Sequence, residues 1–354
     1  MMMRTLLKTY SLSETCRIEP LTSGLINKTW KVIDGEQQYI LQQINNHVFK
    51  KPFDLATNIR LIDEYLKVRS PEYLFVSPLR NIHDQDLIHE KDDGYFRLFP
   101  FIKGSHTVNV VTTPEQSFEA AFQFGKFTQL LSQFDVKKLH ITIPDFHNLT
   151  LRYNQFEKAL ETGNAKRIKE SYALIGDIKD RKVIVEEFEK LQKHPDVRQR
   201  VMHHDTKISN VLFDEHGKGM CVIDLDTIMP GYFISDVGDM MRTYLSPANE
   251  EEKDFKGITV REDFFRAIVH GYLSTMKAEL TPTERSLILY SGLFMIYMQA
   301  LRFLTDYFNN DVYYGARYED HNLIRAGNQI DLLKKMEEKK EILELIIAEE
   351  LRVH

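Results

Sequence analysis

The chain is poor in cysteine: Cys16 and Cys221 are the only two, and neither has a spacing suited to metal or redox chemistry, so no disulfide framework is implied. A long basic run is also missing. The net charge is −6, from 46 Lys and Arg against 52 Asp and Glu, which disfavours a nucleic acid or an anionic membrane as partner. The N-terminal residues, Met-Met-Met-Arg-Thr-Leu-Leu-Lys8, lack the apolar core of a signal peptide. The most apolar run, Leu287 to Met298, is too short for a bilayer and contains Ser291 and Gly292, so it reads as a buried helix of a cytoplasmic protein. There is no internal repeat and no low-complexity segment. What remains is a globular composition, 43% apolar and 28% charged, over 354 residues, which exceeds one ordinary core and suggests two lobes.

The stretch from Val201 to Gly231 carries the chemistry. It reads His203-His204-Asp205-Thr-Lys207-Ile-Ser-Asn210-Val-Leu-Phe213, then a polar turn with Gly217 and Gly219, then Met220-Cys-Val-Ile223-Asp224-Leu-Asp226. Asp205 and Asn210 have the kinase catalytic-loop spacing H-x-D-x-x-x-x-N, in which the Asp orients the attacking hydroxyl and the Asn reaches a metal. A strand at Val211–Phe213, the turn and a returning strand form a hairpin that brings Asp224 back beside Asn210. His203 and His204 read as braces that bond loop backbone. Asp236 and Asp239 read as an N-cap and a first-turn acid of the next helix.

Upstream, the pattern from Arg17 to Ile44 is strand-like, with Asp34-Gly35 as a hairpin turn and Thr22-Ser-Gly24 as a loop whose N–H groups suit phosphates. Phe53 to Val68 has helical spacing, and its Glu64 reads as a solvated acid. Further strands are expected from Tyr73 to Ile102. Strand-rich sequence stops near Phe99–Gly104, dividing an N-terminal lobe, residues 1–103, from a helical lobe, residues 104–354. Thr113-Pro-Glu-Gln116 predicts a capping box, and Phe118, Ala121, Phe122 and Gly125 a core stripe. Helices are expected over 151–163, 166–192, 261–280, 283–308 and 322–352, the last as an amphipathic surface helix.

Strands, a connector, then helices enclosing these motifs resemble the aminoglycoside phosphotransferase and choline kinase superfamily. Within it the sequence is most similar to the N-acetylhexosamine 1-kinase-like group, through the His203-x-Asp205–Phe213 block, Val222-Ile-Asp224-Leu-Asp226-Thr-x-Met229-Pro-Gly231 and Ala300-Leu-Arg302-Phe-Leu-Thr-Asp306-Tyr307, while Gly24-Leu-Ile-Asn27 agrees with the family's first loop. The resemblance implies an α+β, protein-kinase-like two-lobe fold. It implies a catalytic Asp205, Lys207 at the transferred phosphate, and Mg2+ on Asn210 and Asp224, with Asp226 a further candidate. ATP would be held by Gly24, Asn27, Gln42 and the connector at Phe101. The acceptor would be the anomeric hydroxyl of a hexose or amino sugar, giving a sugar 1-phosphate, in a monomer or weak homodimer. Arg302 and Tyr313 are candidate sugar contacts, an ion pair of Arg302 with Asp306 being the competing account.

One departure stands out: kinases carry Lys or Arg on the third strand, whereas Tyr39-Ile-Leu-Gln42 ends in a neutral amide. Either Gln42 hydrogen-bonds the phosphates, with Lys207 and the metal supplying charge, or nucleotide affinity is low. Other alcohols (choline, homoserine, an aminoglycoside) remain open acceptors. A metal-dependent hydrolase and a pseudokinase are the rival classes.

Overall fold

The computed structural model describes residues 2–21 and 26–353. In chain order the elements are α1 (Met2–Lys8), β1 (Arg17–Leu21), β2 (Lys28–Asp34), β3 (Gln37–Ile44), α2 (Pro52–Arg69), β4 (Ile88–Glu90), β5 (Gly94–Pro100), α3 (Pro114–Leu130), α4 (Leu149–Thr162), α5 (Ala165–Glu170), α6 (Tyr172–Lys179) and α7 (Val183–Lys193). There follow β6 (Arg200–Met202), β7 (Val211–Phe213), β8 (Gly219–Val222), β9 (Met229–Gly231), α8 (Ile234–Tyr244), α9 (Glu262–Met276), α10 (Pro282–Ser286), α11 (Ile288–Phe308), α12 (His321–Glu338) and α13 (Lys340–Val353). The class is α+β, an antiparallel sheet first and helices after. Contacts divide the chain into two compact units, Met1–His106 with Gln133–Pro144 and Leu212–Pro230, and Thr107–Ser132 with Asp145–Val211 and Gly231–His354.

The first unit is built on an antiparallel sheet of order β1-β2-β3-β5-β4. Asp34 pairs with Gln37, leaving Gly35 and Glu36 as a two-residue turn, and Gly35 takes the positive φ of 59° that the first position of a II′ turn requires. One face of the sheet buries Val32, Leu41, Phe96 and Leu98 against Leu6 and Leu7 of α1. Because successive strand residues alternate faces, Gln42 and Arg97, directly opposite each other on β3 and β5, share the other face. Residues 71–87 form no strand, contrary to expectation. Pro71 and Pro78 have no N–H for a ladder, and the segment meets β5 where Leu79 N–H donates to Leu98 O at 2.7 Å.

Asn58 of α2 sews this unit's separate stretches together. Its Nδ2 donates to His140 O and Ile228 O, 2.9 and 3.1 Å, and its Oδ1 accepts from His140 N, 2.8 Å. The hairpin β7–β8 forms as expected: Asp214 Oδ1 accepts from the N–H groups of His216 and Lys218 and closes its turn.

The second unit is helical. Its centre is α11, which is long and apolar enough by composition to cross a membrane but is mostly buried, against α4, α8 and α12. The expected helix over 166–192 is three, breaking at Ser171 and near Arg181; 283–308 breaks at Leu287, and 322–352 at Lys339. The α12 part is no surface helix, since it buries Asn322, Gln329, Leu332 and Leu333. Thr113 caps α3 as expected, but Gln116 completes no box, accepting instead from Thr112 N–H at 2.8 Å. The side of α3 most deeply buried is Ala120, Ala121, Phe124 and Phe127, with Phe118 and Phe122 at its margin.

Helix α8 reaches α11 at Gly238, where a β-carbon would meet the carbonyl oxygen of Ser291 and Cβ of Met295. Gly238→Ala forces a shift of packed backbone and is expected to cost about 1–3 kcal/mol. Thermal unfolding checks this, and an unchanged melting temperature would contradict so close an approach.

Candidate active site

In the second unit, β6 delivers the chain into the loop His203–Asn210. The strand is anchored by Arg200, whose guanidinium meets both oxygens of buried Glu284, 2.5 and 2.8 Å; Glu284 in turn closes the capping box of α10 with Thr281. The loop then turns sharply, with His204 at φ 66°. For a residue with a β-carbon that conformation is costly, and surrounding bonds must over-determine it.

Those bonds come from α8. Asp236 Oδ2 and Oδ1 accept the backbone N–H groups of His203 and His204, 3.0 and 2.8 Å. Asp239 Oδ2 accepts from Thr206 N–H at 2.9 Å. The Thr206 hydroxyl donates to Asp236 O, 2.8 Å, and its carbonyl accepts from the Tyr244 hydroxyl, 2.5 Å. Neither acid plays the part expected of it: Phe233 occupies the N-cap, and both carboxylates turn inward to the loop. Asp239 is itself held by Arg242, 3.0 and 3.1 Å, which reaches on to Glu250 at 2.8 Å; Arg325 pairs with the same Glu250. The His203 ring, fully buried edge-on to Phe124, offers Nδ1 to Asp205 N–H at 3.4 Å, the brace expected of it.

This clamp presents a part-buried Asp205. Lys207 Nζ lies 3.1 Å from its Oδ1, and Asn210 Nδ2 donates to the Asp205 carbonyl at 2.9 Å. Burial opposes the charge on Lys207, but Asp205 and Asp239 more than offset it and raise its pKa, so the ammonium stays protonated. Burial pushes Asp236 up to about 7, against the two N–H bonds that favour its charged form.

In the first unit, Asp224 follows β8 with its side chain exposed and φ 60°. Two residues on, Asp226 is buried. Arg97 Nη1 lies 2.6 Å from Asp226 Oδ1, and Asn27 Nδ2 donates to Oδ2 at 2.8 Å. The same guanidinium donates through Nε and Nη2 to Gln42 Oε1, 3.1 and 2.8 Å. Gln42, expected at the nucleotide, and Asp226, a metal candidate, thus meet on one arginine that sequence reasoning passed over, and Asn27, also expected at the nucleotide, joins them through Asp226. Its signal was a charge inside the apolar run Phe96-Arg97-Leu98-Phe99, where burial demands a partner. Phe101 lies apart: its N–H donates to Gln38 O at 3.1 Å, and its ring lies 4.4 Å from Lys31 Nζ. Gly24 lies outside the described residues.

Arg302 and Tyr313 do meet, at 3.5 Å. The expected pair of Arg302 with Asp306 does not form, because Asp306 is buried and accepts the N–H groups of Tyr313 and Tyr314, 2.8 and 2.9 Å. Arg302 instead lies beside the rings of Phe146, Tyr313 and Tyr314, 5.4–5.9 Å from their centroids, and bonds Gln299. Arg152 is close enough that, after burial, Arg302 is the main influence lowering its pKa. His147, beside His204, is held well below its ordinary value by burial, then by His204 and Arg302.

A leading antiparallel sheet, a helical region and a braced Asp–Asn loop followed by the Ile-Asp hairpin define the class as kinase-like. Residues 17–278 match the Phosphotransferase enzyme family, APH, and the chain belongs to that family. The fold is similar to a microcompartment-associated aminopropanol kinase at 16% identity, TM-score 0.62, over 97% of this chain and 98% of that one. A spectinomycin phosphotransferase in complex with ADP and spectinomycin aligns at 13% identity, TM-score 0.59, over 95% and 98%. A choline/ethanolamine kinase family protein from Mesorhizobium loti aligns at 16%, TM-score 0.53, over 100% and 99%.

A carboxyl raised to about 7 in the fold binds its proton more tightly folded than unfolded. Its contribution is therefore fully present below about pH 4 and is lost as pH rises to about 7, a change on the order of 4 kcal/mol. Urea unfolding of the wild type against Asp236→Asn across pH 4–8 checks this: the gap between them should shift in favour of the variant as pH rises, and a pH-independent gap would contradict it.

Proposed function

We propose that this phosphotransferase moves the γ-phosphoryl group of ATP to the anomeric hydroxyl of an N-acetylhexosamine or hexose, giving a sugar 1-phosphate. Support for the transfer step is the braced loop. Asp205 is fixed by its backbone, with a carboxylate left to orient the acceptor hydroxyl and take its proton. Lys207, permanently charged, stands one contact away to meet the negative oxygens of the phosphate. Nucleotide as donor accords with the ADP bound by the spectinomycin phosphotransferase.

Among the described residues no group of three or more His, Cys, Asp or Glu is placed to hold a metal. In the first unit the exposed carboxylate of Asp224 is a hard oxygen donor, which suits magnesium carried largely by water and phosphate rather than an all-protein cage; Asn210 of the second unit is a separate candidate, its Nδ2 bonded to the Asp205 carbonyl. Magnesium held there would neutralise charge on the transferring phosphoryl group. A two-metal hydrolase would need the denser donor set.

The observation that carries the acceptor reading is the charge around Arg302. Among the described residues no carboxylate lies within ion-pair distance of Arg302, while the Arg152 guanidinium is near enough to feel its charge. Like charges so placed repel a cationic acceptor such as choline or an aminoglycoside. A neutral sugar has no charge to be repelled; it packs on the rings of Tyr313, Tyr314 and Phe146 and takes guanidinium hydrogen bonds on its hydroxyls. Homoserine is the second reading, because its carboxylate also suits an arginine without an acid.

Incubation with ATP, magnesium and a panel of GlcNAc, GalNAc, galactose, homoserine and choline, read by phosphorus NMR, tests this. A product signal split by an anomeric proton is expected, and phosphate elsewhere would remove the sugar 1-kinase reading. Asp205→Asn should lower kcat about 10^3-fold with little change in melting temperature, since its carboxylate is outside the clamp; near wild-type kcat would contradict its role. Arg302→Ala should raise the acceptor KM about tenfold or more and leave the ATP KM unchanged.

A further inference from the structure

We propose that Arg97 is the positioning cation of the nucleotide–metal site: it replaces, from the neighbouring strand, the basic residue absent at Gln42, and acts by locking the turn that presents Asp224. The inference rests on the phosphotransferase reading above.

The register makes the substitution geometrically simple. Gln42 and Arg97 are direct cross-strand partners, so their side chains leave the same face of the sheet side by side. A cation supplied by either position reaches nearly the same space. Arg97 is 2% exposed and so is Asp226, so neither charge is left to water. The guanidinium turns Nη1 to Asp226 and its Nε–Nη2 edge to Gln42, whose neutral amide oxygen accepts from both of those nitrogens. A lysine at position 42 would repel Arg97; the amide fixes its plane instead.

The far end of the pair fixes the backbone. Asp226 lies in the short turn Leu225–Thr227 that directly follows Asp224, and its two oxygens are taken by Arg97 and Asn27, while its carbonyl accepts from the Thr142 hydroxyl at 3.3 Å. Asn27 Oδ1 closes the network on Asn45 N–H at 3.0 Å. Asp224 itself holds a left-handed conformation, which needs such reinforcement on its C-terminal side. Arg97 therefore acts through Asp226 on Asp224, and Asp226 serves as the anchor of the turn rather than as a second ligand.

The test is ADP binding by calorimetry, with magnesium and in EDTA, for the wild type, Arg97→Gln and the exchanged pair Gln42→Lys/Arg97→Gln. Arg97→Gln should weaken ADP binding at least about tenfold in magnesium and leave binding in EDTA within about twofold, because only the metal-presenting turn is loosened. The exchanged pair should recover most of the magnesium effect. Equal weakening in EDTA would mean that Arg97 touches the nucleotide directly and would overturn the proposal, as would no effect in magnesium. Should the single variant not fold, because it leaves Asp226 buried without a cation, the exchanged pair decides alone: magnesium-dependent binding near wild type supports the proposal and its loss overturns it. A protein that binds ADP in this pattern but phosphorylates no sugar would lose only the acceptor assignment.

Discussion

The carboxylate of Asp236, receiving the N–H groups of His203 and His204, is the contact on which the shape of the second unit's Asp205 loop depends. A loop that turns through a left-handed histidine would relax if its donors had only water to bond. A buried acceptor supplied by a helix makes the strained form the satisfied one, because each buried N–H left unpaired costs about 1–3 kcal/mol. Asp239 repeats the device two residues later in the loop, and its own charge is balanced by Arg242, which also pairs with Glu250. The acids that shape the loop are thus distinct from Asp205, the acid that the loop presents.

The first unit uses a comparable arrangement with the signs reversed. There the buried cation is central: Arg97 gathers Gln42 and Asp226, and Asn27 completes the second oxygen of Asp226. Breaking a buried pair by removing one partner costs about 3–5 kcal/mol, far more than an exposed pair contributes, so such networks specify geometry more than they add stability. Each unit therefore holds one acidic element in a fixed shape, the braced Asp205 loop in one and the Asp224–Asp226 turn in the other.

How much of this was legible follows from the range of each interaction. The loop spacing of Asp205 and Asn210, the hairpin after it, the Gly35 turn and the Thr113 cap are local, and each reads directly from neighbouring residues. Asp236 was misread because Ser-Asp at a helix start looks like capping grammar, and only the fold reveals that donors from His203 and His204 claim the side chain instead. Arg97 escaped because its partner Asp226 is remote in sequence. The helix breaks at Ser171, Leu287 and Lys339 carry no proline or glycine, so periodicity ran through them. Arg302 beside Asp306 fitted the i, i+4 rule, yet burying Asp306 under two backbone N–H groups satisfied it more fully than a half-exposed ion pair would.

The central claim is that a rigidly held Asp205 supports direct transfer from nucleotide to acceptor, with no covalent stop on the protein. The stereochemical course at phosphorus, followed with ATP made chiral by oxygen isotopes at the γ position, tests it most directly. A single in-line displacement gives inversion. Retention would require two successive displacements through a phosphorylated side chain and would contradict the account.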